Sequence, residues 1–421
     1  MAEKVNRWKF VYAAIVMQLC LGALYSWSVF RPVLEKTNNW DAKISVAPFR
    51  YSLLFFTVAM IIAGFWQDKK GPKLVGSVGG LLLAAGCLLS AVTWQSEMGL
   101  KISYGIIGGL GVGFAYVTPI ATCVKWFPDK RGTIVGLAVL GFGAGSMIFA
   151  PVISALLGDD PTMWATTVPR TFGILGVTFL ICVIGAARVF ETPPAGYKPE
   201  GWNPPAAATS ASGVVQKAEF TTAEMVKTWQ FYCLWLIYFL GTSVGIVALG
   251  QAVPLMKSMA ATTAVMSAAA ALGLMSAFNG VGRLAFGALS DKIGRKPTTV
   301  IMFCLYMFSC LFLLRNTDNF MQALAGVCMV GFSYGGYLAM MPSFTADYYG
   351  AKNVGANYGT VFTAWGICGF IVPAYFAGIV AAAKAAGNVA AGYNQTYFSL
   401  AGFCVVGIIL VLVITKPTRD A

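Results

Sequence analysis

The sequence predicts an all-α membrane protein of twelve transmembrane helices, arranged as two six-helix halves. Three observations carry that reading. The 421 residues are 58% hydrophobic and 11% charged, where a soluble domain has about 25% charged residues, so the chain lacks the polar surface needed to face water. Apolar stretches of about 20 residues, the length of a bilayer-crossing helix, recur twelve times. One charged turn sequence also appears twice, once in each half.

The stretches lie near residues 9–30, 47–66, 74–94, 102–124, 133–157 and 171–190, then 230–255, 264–289, 298–315, 321–343, 355–382 and 396–415. The first follows Lys4, Arg7 and Lys9 but has no small-residue cleavage site, so it reads as a retained helix rather than a secretory signal. The sixth and seventh are separated by the longest polar stretch. It opens with the Pro-rich ETPPAGYKPEGWNPP and passes through the small, flexible AAATSASG. The expected organisation is therefore an N-terminal half over 1–190, a cytoplasmic linker over 191–229 with a surface helix around Thr221–Thr228, and a C-terminal half over 230–421.

Charge placement sets the expected sidedness. The formal charge is +13. With the N-terminus inside, 19 of the 29 Lys and Arg fall on inner segments and nine on outer ones. This bias is the positive-inside rule. Both termini are expected in the cytoplasm and the chain in the cell (inner) membrane. The basic excess then marks a face of the membrane, and no nucleic-acid partner is expected. There is no His, which removes imidazole metal ligands and imidazole catalysis together. No metal site and no cofactor are expected. The ten Cys all fall in apolar runs and read as small buried residues.

The repeated turn is GFWQDKKGPK (Gly64–Lys73) between the second and third stretches, and GALSDKIGRK (Gly287–Lys296) between the eighth and ninth. Both read G-x-x-x-D-K-x-G-x-K, 223 residues apart. Duplicated halves are a building rule of secondary transporters. Asp68 and Asp291 are placed to cap neighbouring helix N-termini, and adjacent basic residues, Arg295 among them, to pair with acids on the same face.

Arg283 is the charged residue set deep within a predicted span. It lies eight residues before Asp291, about 12 Å up the helix. A guanidinium at that depth either grips a carboxylate in the interior or snorkels to the headgroups. Asn279, four residues earlier, shares its helix face and reads as orienting the guanidinium, bonding substrate or bridging two helices. None of the 16 acids falls mid-span. A channel would need a polar pore lining or charged rings, and an enzyme a nucleophile–base or metal constellation; neither pattern is present.

With twelve spans, a central linker and the motif in both halves, the chain resembles transporters of the major facilitator superfamily. Finer likeness in WFPDKRG (Trp126–Gly132), PPAGYKPEGW (Pro193–Trp202), FNGVGRLAFG (Phe278–Gly287) and PSFTADYYG (Pro342–Gly350) resembles its oxalate/formate antiporter branch, related to monocarboxylate transporters and bacterial lactate carriers. The resemblance implies that Arg283 binds a substrate carboxylate. It also implies that Gly64, Asp68, Gly287, Asp291 and Arg295 form a latch favouring the state closed to the cytoplasm. Tyr25 and Tyr116 match tyrosines that contact oxalate in the antiporter, and Tyr334 stands in the place of a pocket Trp. Tyr337 and Phe362 are further candidates. Trp365 replaces a second, lysine cation of the antiporter, and Leu24 replaces a polar residue. One cation among apolar side chains suits one carboxylate on a hydrophobic body, because an unpaired buried charge costs several kcal/mol.

The expected function is alternating-access transport of a small organic monocarboxylate such as lactate or pyruvate, in proton symport, by a monomeric unit in contact with membrane lipid. The missing mid-span acid leaves the alternative open. It favours an obligate organic-anion exchanger of the oxalate/formate type, whose halves close readily only with the anion on Arg283.

Overall fold

The computed structural model describes residues 6–194, 196–199, 202, 219–259, 268–315 and 319–418. Expectations resting on Lys4, Lys217, Arg419, linker residues 203–218 and the start of the eighth stretch at 264–267 lie outside the described residues. Six long helices form the N-terminal half: α1 (Trp8–Asn38), α2 (Ala42–Lys70), α3 (Pro72–Thr93), α4 (Glu97–Trp126), α5 (Arg131–Leu157) and α6 (Trp164–Val189). Six more form the C-terminal half: α7 (Trp229–Met259), α8 (Ala268–Ile293), α9 (Arg295–Leu314), α10 (Phe320–Tyr349), α11 (Val354–Ala385) and α12 (Val389–Val413). No strand occurs among the described residues.

Eleven helices among the described residues are long and apolar enough to cross a membrane. The difference from the twelve expected is α8. Its 26 residues span about 39 Å, ample for a bilayer; the apolar start of this stretch lies outside the described residues, and Asn279 and Arg283 lower the hydropathy of the remainder. The helices also outrun the predicted stretches. α1 continues to Asn38, α6 starts at Trp164 and α10 reaches Tyr349. An apolar window detects only the hydrocarbon part of a helix, and backbone hydrogen bonding carries the helix on into the polar zone.

Regular geometry breaks at four places. Ala23–Ser26 tightens α1 into a 3₁₀ turn, Lys101–Gly108 and Ser309–Leu314 widen α4 and α9 into π-helix, and α11 breaks at Phe362, between Val354–Val361 and Thr363–Ala385. Such interruptions often mark hinges or functional sites. Pro151 and Pro373 lie inside helical segments. In the linker, Thr222–Met225 forms the expected short helix, with a capping box between Thr221 and Glu224.

Each repeated motif folds the same way. Its second glycine, Gly71 or Gly294, joins two helices at φ +83° and φ +93°, a region a side chain disfavours. The repeat extends far beyond the motif. Where the halves meet, α2 packs on α11 and α8 on α5. A Cβ on Gly64 would collide with the Gly355 carbonyl, one on Gly359 with Met60, one on Gly132 with Gly287, and one on Gly136 with Arg283. Gly132 and Gly355, Gly136 and Gly359, and Met60 and Arg283 are each 223 residues apart, like the motifs themselves. The bundle thus has two equivalent glycine seams, both pressed shut toward the motif end.

Candidate functional site

Arg283 projects from α8 into the seam between the halves and is 2% exposed. Its Nε donates to Asn279 Oδ1 at 3.1 Å and its Nη1 donates to the Val139 carbonyl on α5 at 2.8 Å. Asn279 in turn donates to the Gly331 carbonyl on α10 at 3.2 Å. Of the three readings open for Asn279, the structure shows both the orienting bond to Arg283 and the interhelical bond. Bonded to the opposite half, the guanidinium does not snorkel to headgroups. Among the described residues no carboxylate pairs with it, and Nη2 makes no hydrogen bond. A buried cation held only by an amide and a backbone carbonyl is incompletely compensated.

Gly143 lies against it: a Cβ there would sit 3.4–3.7 Å from Nε, Cζ and Nη2, in ordinary van der Waals contact. Around it stand aromatic rings from both halves. Tyr25, on the 3₁₀ turn of α1, meets Phe142 edge-on at 5.3 Å, and Tyr116 of α4 meets the same ring at 5.0 Å. Phe56 of α2 bridges Tyr116 at 5.1 Å, Phe362 at 5.3 Å and Trp365 at 5.6 Å. Trp365 stacks on Phe362 at 5.0 Å and donates its indole N–H to the Tyr334 hydroxyl at 2.9 Å. Tyr25, Tyr116, Tyr334 and Tyr358 all lie within electrostatic reach of Arg283. The result is one positive charge and several hydroxyls inside an aromatic wall.

Two expected residues are elsewhere. Leu24 lines an internal void of the N-terminal half, with Leu21, Leu83, Tyr104 and Phe179, because adjacent side chains on a helical turn point about 100–120° apart and Tyr25 takes the seam side. Tyr337 is buried in the C-terminal half, stacked on Tyr306 at 5.7 Å and covered by Phe303. Conversely, Phe56, Phe142, Gly143 and the Val139 carbonyl were not legible as site residues from motifs. The repeat was the missed signal. A displacement of 223 residues maps Asn279 onto Phe56, Arg283 onto Met60 and Trp365 onto Phe142, so the polar pair of α8 has apolar residues at the equivalent places of α2.

At the motif end, each repeated Asp caps a helix of the opposite half. Asp68 accepts from the Ala356 N–H at 2.8 Å, at the start of α11, and from Lys125 at 2.7 Å. Asp291 accepts from the N–H groups of Gly132 and Thr133 at 2.9 and 2.7 Å, at the start of α5, and pairs with Arg295 at 2.9 Å. Arg295 also bonds Ser290. Asp347 of α10 joins the halves again, binding Arg131 at 2.7 Å and Arg295 at 2.8 Å. Anionic caps on helix N-termini add charge–dipole attraction to the hydrogen bonds. Asp347→Asn leaves both arginines without their shared charge. Partial exposure screens the loss to about 1–2 kcal/mol, and a fall of roughly 2–4 °C in the unfolding midpoint is expected by differential scanning fluorimetry.

The chain was compared with known proteins. The profile described as Major Facilitator Superfamily matches residues 19–373. The oxalate:formate antiporter of Oxalobacter formigenes is 28% identical over 373 residues, covering 85% of this chain and 81% of that protein. Apicoplast pyruvate carrier 1 of Toxoplasma gondii is 25% identical over 449 aligned positions, covering 86% and 82%. Among solved structures, that of FucP, a major facilitator transporter in its outward conformation, superposes with a TM-score of 0.69 at 14% identity, covering 97% of this chain and 99% of that one. The chain belongs to the major facilitator superfamily and is a multi-pass membrane transporter, not an enzyme.

Proposed function

We propose that this transporter carries small monocarboxylates, lactate or pyruvate in kind, by alternating access, in proton symport. The observation that carries the reading is Arg283, buried between the halves with no carboxylate paired to it among the described residues. The substrate carboxylate would take the free donors of Arg283, and its apolar part the rings of Phe56, Phe142, Phe362 and Trp365. With one cation in the site, a second carboxylate would stay uncompensated. The relatives named as an oxalate:formate antiporter and a pyruvate carrier support an organic-anion substrate.

In this reading the motif end faces the cytoplasm, with both termini and the linker there, in the cell membrane, and the monomer is the working unit. The glycine seams and Asp latches hold the cytoplasmic side closed. With no His and no carboxylate on Arg283, the proton is carried by a gate-region acid or with the substrate and water.

One observation favours the second reading, obligate exchange. Arg283 donates across the seam to Val139, and rocking of the halves breaks that bond. Without a bound anion the guanidinium then loses a partner in a dry interior, which slows the empty carrier. Uptake of labelled lactate into proteoliposomes under an imposed pH gradient separates the readings. Symport predicts uphill accumulation driven by an acidic exterior. Counterflow that persists while gradient-driven net uptake is absent would establish exchange instead.

A further inference from the structure

The monocarboxylate reading sets the ring of Trp365 against the apolar part of the substrate but gives its indole N–H no task. Its ring is 4% exposed and pinned between Phe362, at 5.0 Å and nearly parallel, and Phe56 at 5.6 Å. Its N–H points to the Tyr334 hydroxyl at 2.9 Å. An indole N–H only donates, so the direction of this bond is fixed. The Tyr334 oxygen must accept, and its own proton is left to point elsewhere.

Tyr334 is itself immobilised. Its ring covers Gly245 of α7 so closely that a Cβ there would collide with it, and it is 5% exposed. Among the described residues its hydroxyl proton meets no acceptor. The charge of Arg283 and the phenol of Tyr25 both act on it. A fixed phenol with an unspent proton beside an unpaired guanidinium is a second donor for whatever anion Arg283 receives.

We propose that Trp365 is a positioning residue for substrate recognition. By donating to the Tyr334 oxygen it turns the Tyr334 hydroxyl proton toward the carboxylate on Arg283. Polarised by the indole, the phenol also becomes a stronger donor. The site then grips a single carboxylate from two helices, Arg283 on α8 and Tyr334 on α10, while the apolar ring of Trp365 occupies space a second charge would need. This inference rests on the proposed binding of a monocarboxylate at Arg283.

The test is a double-mutant cycle on labelled L-lactate uptake by proteoliposomes. Trp365→Phe keeps an aromatic ring against Phe362 and removes the indole N–H together with the pyrrole ring that carries it. Tyr334→Phe removes the donor that the indole orients. Loss of a hydrogen bond to a charged partner predicts a KM about tenfold higher for Tyr334→Phe. For Trp365→Phe the expected rise is roughly threefold to tenfold, with kcat within about twofold. The double variant should match Tyr334→Phe alone, since without the hydroxyl there is nothing to orient. An unchanged KM in Trp365→Phe overturns the proposal, and so do effects that multiply in the double variant. If Trp365→Phe folds poorly, comparing Tyr334→Phe with the double variant still reads the coupling: a further KM rise there counts against the proposal. Arg283→Ala, run in parallel, separates the two levels. Wild-type KM in that variant removes the binding site along with this inference, whereas lost uptake in Arg283→Ala with multiplicative effects at Trp365 and Tyr334 removes this inference alone.

Discussion

Arg283→Ala is expected to abolish lactate binding and uptake, with an affinity loss of roughly 30-fold or more. Truncating one member of a buried charged pair costs about 2–5 kcal/mol, and 1.4 kcal/mol is about tenfold in affinity. The loss should exceed that of any aromatic in the site, because the rings surrounding Arg283 add contact area while, among the described residues, the guanidinium supplies the charge beside them. Arg283→Lys keeps the charge but gives up the planar fork that bonds Asn279 and Val139 together. It should retain measurable binding at about tenfold weaker affinity. Isothermal titration of the purified variants reads both effects. Since the empty wild-type site holds its cation incompletely compensated, Arg283→Ala should be at least as heat-stable as wild type. Protein that unfolds earlier than wild type would mean that Arg283 serves the fold more than the substrate.

Gly132→Leu carries the second large effect, and it acts on motion rather than on binding. Even a Cβ at Gly132 meets the Gly287 carbonyl, and the same position lies 2.6 Å from the Ser290 hydroxyl. A leucine there cannot fit while α5 and α8 are pressed together. Overpacking costs about 1–3 kcal/mol, here charged wholly to the state closed at the motif end, so that state loses population by about 5- to 150-fold. Lactate uptake should fall at least about fivefold, while lactate affinity stays within about threefold of wild type. Gly355→Leu, at the equivalent place in the other seam, should behave alike. Gly173 on α6 has no neighbour within 4 Å, and Gly173→Leu is the control that should leave uptake unchanged. Normal turnover in Gly132→Leu would show that the glycine seam does not have to close during transport.

Much of this was readable from residues alone, and the failures have physical causes. Twelve apolar runs, the central polar stretch and the doubled motif specify the bundle because each reflects a local constraint: span length, solvation or a turn that needs glycine. Arg283 was legible for the same reason, since a charge deep in a span stands out against its neighbours. Aromatic rings do not stand out. Tyr334 and Tyr337 lie three residues apart on α10, yet one reaches the site and the other stacks on Tyr306 inside its own half. Leu24 and Tyr25 are adjacent, and a 3₁₀ turn separates their directions. Facing residues depend on helix rotation and local geometry, which composition does not encode. Phe56 and Phe142 were findable only by extending the 223-residue repeat past the motif, into positions where the two halves share geometry but not residue type.

The central claim is that a single carboxylate binds Arg283 between the halves. Thermal stabilisation of the purified protein by a panel of mono- and dicarboxylates, with Arg283→Ala beside wild type, tests it most directly. Lactate and pyruvate should raise the unfolding midpoint of the wild type and leave Arg283→Ala unmoved, while oxalate should do little to either. Stabilisation by oxalate exceeding that by lactate, or lactate stabilisation that survives in Arg283→Ala, would contradict it.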